Sequence, residues 1–216
     1  YTPENEFGID TVNPTVTAVA VDDTLLSDSD SGSPFTVTVD FSEPMQDDGT
    51  PYPTITFSPT VATTLSFTSE SWPSTTRYAA IYDVSDAGVD INSITIDVTF
   101  AEDENLNDQQ AYTAVHEFEI DTENPTVTLV TLSDNLITDA DVGDTFTVTI
   151  DYSEPMLTTS PSLVYSPNLD TTLSFQAGSS GWQTTQRYVA SYTILDGNTT
   201  VLDDDITITN AQDLAG

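Results

Sequence analysis

The chain contains many short segments in which apolar and polar residues alternate. In PFTVTVDF (34–41) and TFTVTIDY (145–152), aromatic or aliphatic residues stand at every second position, with Thr or Asp between them. An alternation of period two is typical of a strand that buries one face. The pattern recurs in PTVTAVAV, TITF, TLSF, RYAAIY, ITIDVTF and HEFEI. About seven short strands per hundred residues, separated by turn residues, predict an antiparallel β-sandwich of immunoglobulin-like type.

The chain also repeats itself. DTVNPTVTAV begins at Asp10 and DTENPTVTLV begins at Asp121, and residues 21–45 align with residues 132–156 without a gap. A repeat of this length indicates two homologous domains. We therefore predict an all-β protein of two tandem immunoglobulin-like β-sandwiches arranged end to end. The predicted organisation is an amino-terminal strand at 1–9, a first module at 10–120, and a second module at 121–216 that lacks its final strand.

The composition makes the chain a polyanion. It has 36 acidic residues against two Arg and no Lys, and its formal net charge is −34. Such a charge repels nucleic-acid phosphates and anionic lipids and attracts cations, so we expect no nucleic-acid partner. No apolar run is long enough to span a bilayer, so we expect no membrane insertion by this chain. The absence of Cys excludes disulfides and thiolate chemistry.

Two acidic loops make calcium the favoured cofactor. Calcium takes six to eight oxygen ligands, and DSDSG (28–32) and DADVGD (139–144) place acids at equivalent positions of the two modules. The junction between modules, which an Asn-Pro pair stiffens, is a second acidic site. Alternatively, the Asp residues of the two loops only form the turns, by hydrogen-bonding to their own backbone. The candidate ligands are Asp28, Asp30, Asp139, Asp141 and Asp144 in the loops, and Glu117 and Asp121 at the junction.

The sequence offers little for catalysis. Its one histidine, His116, has no counterpart in the second module, and an acyl-transfer enzyme needs a base beside its nucleophile. We therefore predict that the chain is not an enzyme. Arg77 and Arg187 occupy equivalent positions, and each is predicted to form a two-hydrogen-bond ion pair with an acid on a neighbouring strand. Trp72 and Trp182 are predicted to fill the cores, with exposed sugar-stacking indoles as the alternative.

The order of the motifs carries a resemblance to a known family. The chain contains ITDADVGDTFTVTIDYSEPM (137–156), a lone Trp, an RY pair, an AxDxAG ending and EFEIDTENPTV. Together these motifs resemble the bacterial immunoglobulin-like repeats of large cell-surface adhesins. The resemblance implies an extracellular, often calcium-dependent structural module without catalytic activity. We therefore expect a non-catalytic module of an extracellular or cell-surface fibre, filament or adhesin. The alternative is a carbohydrate- or ligand-binding surface module.

The two modules differ in their final strand. The first module ends in YTAVHEFEID (112–121), which the second does not repeat, while YTPENEFGID (1–10) matches it in length and pattern. A sandwich without an edge strand leaves an open apolar groove that another strand fills. We hypothesise that Phe7 and Ile9 of one copy enter the second module of the next, so that copies join head to tail. Alternatively, the chain is a slice of a longer array, and adjoining sequence supplies the strand in cis.

Overall fold

The computed structural model describes residues 7–47 and 52–216 and divides the chain into two compact units. The first unit is Tyr1–Glu123 and the second is Asn124–Gly216. The described residues form strands, with two short 3-10 helices at Asp28–Asp30 and Asp139–Asp141. The prediction of an all-β protein is confirmed. The immunoglobulin-like type and the end-to-end arrangement stay predictions.

The described strands of the first unit form two sheets. Their order is β1-β3-β6-β5 in one sheet and β2-β8-β7-β4 in the other. The strands are β1 Val16–Val21, β2 Leu25–Ser27, β3 Pro34–Phe41, β4 Thr54–Ser58, β5 Leu65–Ser74, β6 Arg77–Val84, β7 Asp90–Thr99 and β8 His116–Asp121.

The described strands of the second unit also form two sheets, but the second of these sheets has two strands. One sheet has the order β12-β14-β10-β9, with β13 also paired to β14, and the other consists of β11 and β15. The strands are β9 Val127–Leu132, β10 Thr145–Tyr152, β11 Ser162–Ser166, β12 Leu173–Phe175, β13 Gly181–Thr184, β14 Arg187–Ile194 and β15 Asp205–Thr209.

In β3 and β10 the alternating pattern places the core as the sequence predicts, whereas Phe67 and Phe175 of the two TLSF segments are more than half exposed. In β3 and in β10, every second side chain is buried, and the Thr and Asp residues between them are partly exposed. Burying a large apolar side chain contributes roughly 1.5–3 kcal/mol, so the buried row of each strand anchors its sheet to the core. In the first unit the core joins both sheets, because the rings of Phe35 on β3 and Phe118 on β8 lie 4.8 Å apart.

One strand pairing differs from the antiparallel pattern predicted. Strand β8 lies between β2 and β7, antiparallel to β7 but parallel to β2. Alternation identifies which face of a strand is buried, but it carries no information about strand direction. In this position β8 buries Phe118 and Ile120 completely. The strand therefore closes the second sheet of the first unit.

Candidate functional site

The second unit has an open cleft where the first unit has β8. Strands β11 and β15 pair antiparallel like β4 and β7, with Leu163 opposite Ile208 as Ile55 is opposite Val98. In the second unit no described strand lies beside β15 on its other side. The cleft has a volume of about 290 Å³. Its apolar lining includes Leu132, Leu136, Ile137, Phe146, Leu202 and Ile206.

Equivalent core residues are more exposed in the second unit. Leu26 on β2 is 1 % exposed in the first unit, whereas its counterpart Ile137 is partly exposed. Ile96 on β7 is fully buried, and its counterpart Ile206 on β15 is partly exposed. Leu136, at the edge of the cleft, is 73 % exposed. Among the described residues, no strand therefore covers the second core as β8 covers the first.

In the first unit, side-chain and backbone contacts hold β8 in place. The ring of Phe118 lies 4.8 Å from that of Phe35 and 5.8 Å from that of Phe57, between the two sheets. Ile120 pairs with Leu26 on the parallel neighbour β2. The backbone amide of Glu119 donates a hydrogen bond to the carbonyl oxygen of Thr24 at 3.0 Å. Two alternate apolar side chains and the backbone between them therefore hold the strand in place.

The predicted donor residues Phe7 and Ile9 are exposed in the structure. Their side chains are 81 % and 80 % exposed, respectively, and neither lies in a strand. They stand two residues apart, as Phe118 and Ile120 do on β8. Residues 1–6 of the predicted amino-terminal strand lie outside the described residues.

A group of three carboxylates forms in the first unit. In the described part of the chain, Asp10, Glu43 and Asp103 are the one set of three or more acidic or His side chains with potential ligand atoms within 4.8 Å of one another. Asp103 is buried and accepts hydrogen bonds from the backbone amides of Asn105 at 2.8 Å and Asn107 at 2.9 Å. The Oε1 atom of Glu43 is buried without a hydrogen-bond partner among the described residues.

The electrostatics of this acidic cluster favour a cation. Burial raises the pKa of the Glu43 carboxyl, and the charges of Asp10 and Asp103 raise it further. Burial also acts to raise the pKa of Asp103, but hydrogen bonds, chiefly from Asn107, outweigh it and hold the pKa below its usual value. A cation among these oxygens would reduce the repulsion between the carboxylates and give the buried Oε1 atom of Glu43 a partner. Oxygen-only ligands of this kind suit calcium.

Sequence reasoning missed this cluster, although a signal for it was present. Glu43 lies in the SEPM motif and Asp103 in an AxD motif, and both motifs recur, with Glu154 and Asp213 at the corresponding positions. The backbone bridges Met45–Asp103 and Met156–Asp213 bring the two motifs together in each unit. A search for acids repeated at equivalent positions would have found these residues, but only the fold brings them close to one another.

Two of the loop aspartates, Asp30 and Asp141, bond the backbone of their own turns, whereas the Oδ1 atom of Asp28 is buried without a hydrogen-bond partner among the described residues. The Oδ2 atom of Asp30 accepts a hydrogen bond from the backbone amide of Ser27 at 2.8 Å, and Asp141 accepts one from the amide of Thr138 at the same distance. These contacts cap the two 3-10 turns. At Asp141, a hydrogen bond from the Thr138 hydroxyl at 2.8 Å, together with the one from the Thr138 amide, lowers the pKa of the carboxyl. They match the alternative in which Asp residues form the turn.

The remaining predicted ligands are spread over the first and second units. Among the described residues, the structure does not gather them into a set of three acids at ligating distance. Glu117 accepts a hydrogen bond from the hydroxyl of Tyr112 at 3.4 Å, and burial raises its pKa. Asp121 ends β8 opposite Asp90 on β7. Calcium binding by Asp28, Asp30, Asp139, Asp141, Asp144, Glu117 or Asp121 stays a prediction.

Each arginine contacts an acid on a neighbouring strand. Arg77 on β6 donates from Nε and Nη2 to Asp40 on β3, at 2.6 and 2.8 Å. Arg187 on β14 makes the same two contacts, at the same distances, with Asp151 on β10. The hydrogen bond and charge of each arginine lower the pKa of its aspartate. Because both guanidiniums are half exposed, solvent screens each pair, and each pair contributes little to stability.

The tryptophans pack at the edges of the cores, and the histidine lies on the surface of the first unit. The Trp72 ring lies 5.3 Å from that of Tyr78, and the Trp182 ring lies 5.4 Å from that of Tyr188. Both indoles are partly buried against their cores. The Nε2 atom of His116 lies 3.7 Å from Glu119 on the surface of β8. Carbohydrate stacking on the indoles stays the untested alternative to the predicted core packing.

Comparisons with family models and with curated proteins give no match. No protein-family model matches the chain. No curated protein matches it. The described residues form no helix long and apolar enough to cross a membrane.

Among solved structures, the chain is similar to parts of a bacterial S-layer protein, SbsC. Its N-terminal part is 16 % identical with a TM-score of 0.31, over 90 % of this chain and 43 % of that one. The protein rSbsC(31-844) is 14 % identical with a TM-score of 0.32, over 93 % of this chain and 32 % of that one. Domains 5-6 of SbsC are 13 % identical with a TM-score of 0.26, over 91 % of each chain. The chain thus spans less than half the length of the first two, and a likeness at this level establishes neither a shared fold nor a shared function.

Proposed function

We propose that the chain is a non-catalytic structural module of an extracellular or cell-surface fibre, in which copies join head to tail by strand complementation. The observation that carries this proposal is the open cleft of the second unit. It lies where β8 closes the second sheet of the first, homologous unit. The cleft therefore has the shape of a site from which one strand is missing.

The cleft offers both kinds of contact that an added strand needs. Strand β15 pairs with β11 on one side, so the backbone on its other side is available to a further strand. The apolar side chains of Leu136, which is exposed, and Ile137, which is partly exposed, also line the cleft. A segment with apolar residues at alternate positions would pair with the backbone and fill the apolar space at the same time.

The occupant that fits best is the amino-terminal segment of a second copy. Phe7 and Ile9 have the spacing of Phe118 and Ile120, and they are exposed rather than packed against their own unit. Residues 1–10 also match β8 and the residues before it in length and pattern. Donation from each copy to the next is a heterologous contact that need not close on itself, so it generates an open filament.

Deletion of residues 1–9 tests this function. We expect the intact chain to form filaments in electron microscopy and the truncated chain to stay monomeric in light scattering, because the cleft then has no donor. A synthetic peptide of residues 1–13 should bind the truncated chain and raise the melting temperature of its second unit. The matched control peptide carries Glu in place of Phe7 and Ile9 and should have no effect.

Three outcomes would contradict the proposal. The truncated chain could form the same fibres, or the control peptide could bind as well as the native one. The peptide could also bind while the intact chain remains monomeric, which would assign the cleft to a strand supplied in cis by adjoining sequence. The extracellular location is tested separately, by antibody labelling of intact, unpermeabilised cells.

We also propose that calcium binds at Asp10, Glu43 and Asp103 and stabilises the first unit. Both Glu43 and the loop residue Asp28 have a buried side-chain oxygen without a hydrogen-bond partner among the described residues. Only Glu43 lies with two other carboxylates at ligating distance in the described part of the chain, and this supports the cluster over the loop aspartates. Calcium that binds only the folded state contributes about 2.7 kcal/mol at a hundredfold excess over its Kd. We therefore expect the melting temperature of the first unit to fall when a chelator is added, as measured by calorimetry.

Two variants locate the calcium site. Glu43→Gln should remove most of the calcium-dependent rise in melting temperature, because it removes the charge of one ligand. Asp30→Asn weakens a turn cap and should lower the melting temperature equally with calcium and with chelator. The cluster would be the wrong site if Asp30→Asn abolished the calcium effect instead, and an unchanged melting temperature with chelator would rule out stabilising calcium altogether.

A further inference from the structure

We propose that residues 7–11 of one copy dock in the second unit of another in a single register, and that Thr11 closes the joint by a hydrogen-bonded latch to the backbone of Thr199. This inference rests on the proposed strand complementation and adds the register and the residue that sets it. The first unit, in which the equivalent strand is already in place, supplies the geometry.

The latch is present in the first unit at the end of β8. Thr122, the next residue after β8, is 1 % exposed. Its backbone amide donates to the carbonyl oxygen of Val89 at 2.8 Å. In return, the amide of Val89 donates to the hydroxyl of Thr122 at 3.1 Å. Thr122 therefore satisfies both backbone groups of Val89 and holds the end of the strand.

The counterparts of both latch residues are available for such contacts. Thr11 follows Asp10 as Thr122 follows Asp121, and Thr199 lies five residues beyond the end of β14, as Val89 lies five beyond the end of β6. Thr11 and Thr199 are both exposed. Neither makes a hydrogen bond to another described residue. Thr199 also lines the cleft. The amide and carbonyl of Thr199 thus match the groups that Thr11 would present.

The pairing of β8 with β2 sets the register. Glu119 pairs with Leu25, which faces outward, and Ile120 pairs with Leu26, which is buried. Transferred to the second unit, Gly8 pairs with Leu136 on the outside and Ile9 pairs with Ile137 on the inside. The same register carries Thr11 to the position of Thr122. In this one register, Ile9 enters the apolar cleft and Thr11 reaches the position of the latch.

One position differs between the two joints. Phe118 lies opposite Ile94 on β7, and the residue of the second unit that corresponds to Ile94 is Asp204. Burial raises the pKa of the Asp204 carboxyl, and the neighbouring charges of Asp205 and Asp203 raise it further. The docked Phe7 therefore meets a carboxyl group where Phe118 meets an aliphatic side chain, which makes the latch more important to the joint between copies.

Disulfide trapping tests the register, and the absence of native Cys makes the readout unambiguous. In a chain that carries Gly8→Cys and Leu136→Cys, oxidation should produce a ladder of covalent oligomers on a non-reducing gel. The matched control carries Gly8→Cys and Asp134→Cys, which moves the acceptor two residues, or about 7 Å, along the chain. Bridgeable Cα atoms rarely lie more than about 7 Å apart, so the control should give no ladder.

Thr11→Val tests the latch, because valine keeps the shape of threonine and removes its hydroxyl. Loss of one such hydrogen bond should raise the dissociation constant between copies roughly fivefold to tenfold, measured by sedimentation, and leave the melting of the monomer unchanged. Thr122→Val is the control, and it should instead lower the melting temperature of the first unit without weakening the joint.

The outcomes separate the register from the function. The register would be wrong if filaments form but the chain with Cys at residues 8 and 136 gives no ladder, or if the control gives one. Strand complementation would still stand in both cases. A Thr11→Val chain that assembles as well as the native chain would overturn the latch. An internal disulfide in a monomer, or no assembly at all, would overturn both this inference and the proposed function.

Discussion

Replacement of Phe118 by alanine is expected to destabilise the first unit by about 3–5 kcal/mol, the usual cost of removing a buried aromatic ring. The side chain is fully buried, and its ring contacts Phe35 and Phe57 between the two sheets. Calorimetry or urea unfolding should show the transition of the first unit shifted to lower stability. The transition of the second unit should not move, because Phe118 belongs to the core of the first.

Val115→Ala is the matched control for this prediction. Val115 precedes β8 and its side chain is mostly exposed, so its removal should change stability by less than about 0.5 kcal/mol. A small effect of Phe118→Ala would show that β8 contributes little to the fold. It would also remove the reason to regard the cleft of the second unit as incomplete.

Replacement of Phe7 by alanine is expected to weaken the joint between copies by roughly a hundredfold or more, the equivalent of about 3 kcal/mol. In the proposed joint Phe7 takes the place of Phe118, so its ring is the largest group that enters the cleft. Because the Phe7 side chain is 81 % exposed, the melting of the isolated monomer should stay unchanged. Sedimentation across a concentration series measures the first effect, and calorimetry measures the second.

Val12→Ala provides the comparison for Phe7. Val12 is an exposed apolar residue close to Phe7 but beyond the proposed latch at Thr11, so its loss should leave assembly within about twofold of the native chain. Equal losses from Phe7→Ala and Val12→Ala would indicate non-specific apolar association rather than docking of one strand. A destabilised Phe7→Ala monomer would mean that the segment packs on its own chain.

The candidate metal ligands show where sequence reasoning stopped. The aspartates at 28, 30, 139 and 141 were accessible to it because they are close together in the chain, and local acidic patterns resemble cation-binding loops. In the structure Asp30 and Asp141 instead bond the backbone three residues before them. The acidic cluster combines Asp10, Glu43 and Asp103, which are far apart in the chain, so no local pattern could reveal it.

The sequence by itself determined the buried rows of β3 and β10 and that the two units are homologous, but not that β9 is exposed at every position. Alternation identifies the buried rows because side chains of a strand point to opposite faces, and the apolar face must leave water. Only the tertiary structure decided that β8 runs parallel to β2, which residues line the open cleft that the sequence predicts in the second unit, and that Glu43 meets Asp10 and Asp103. Strand direction and the closeness of distant residues depend on how the sheets pack as a whole, and the polarity of single positions does not encode that packing.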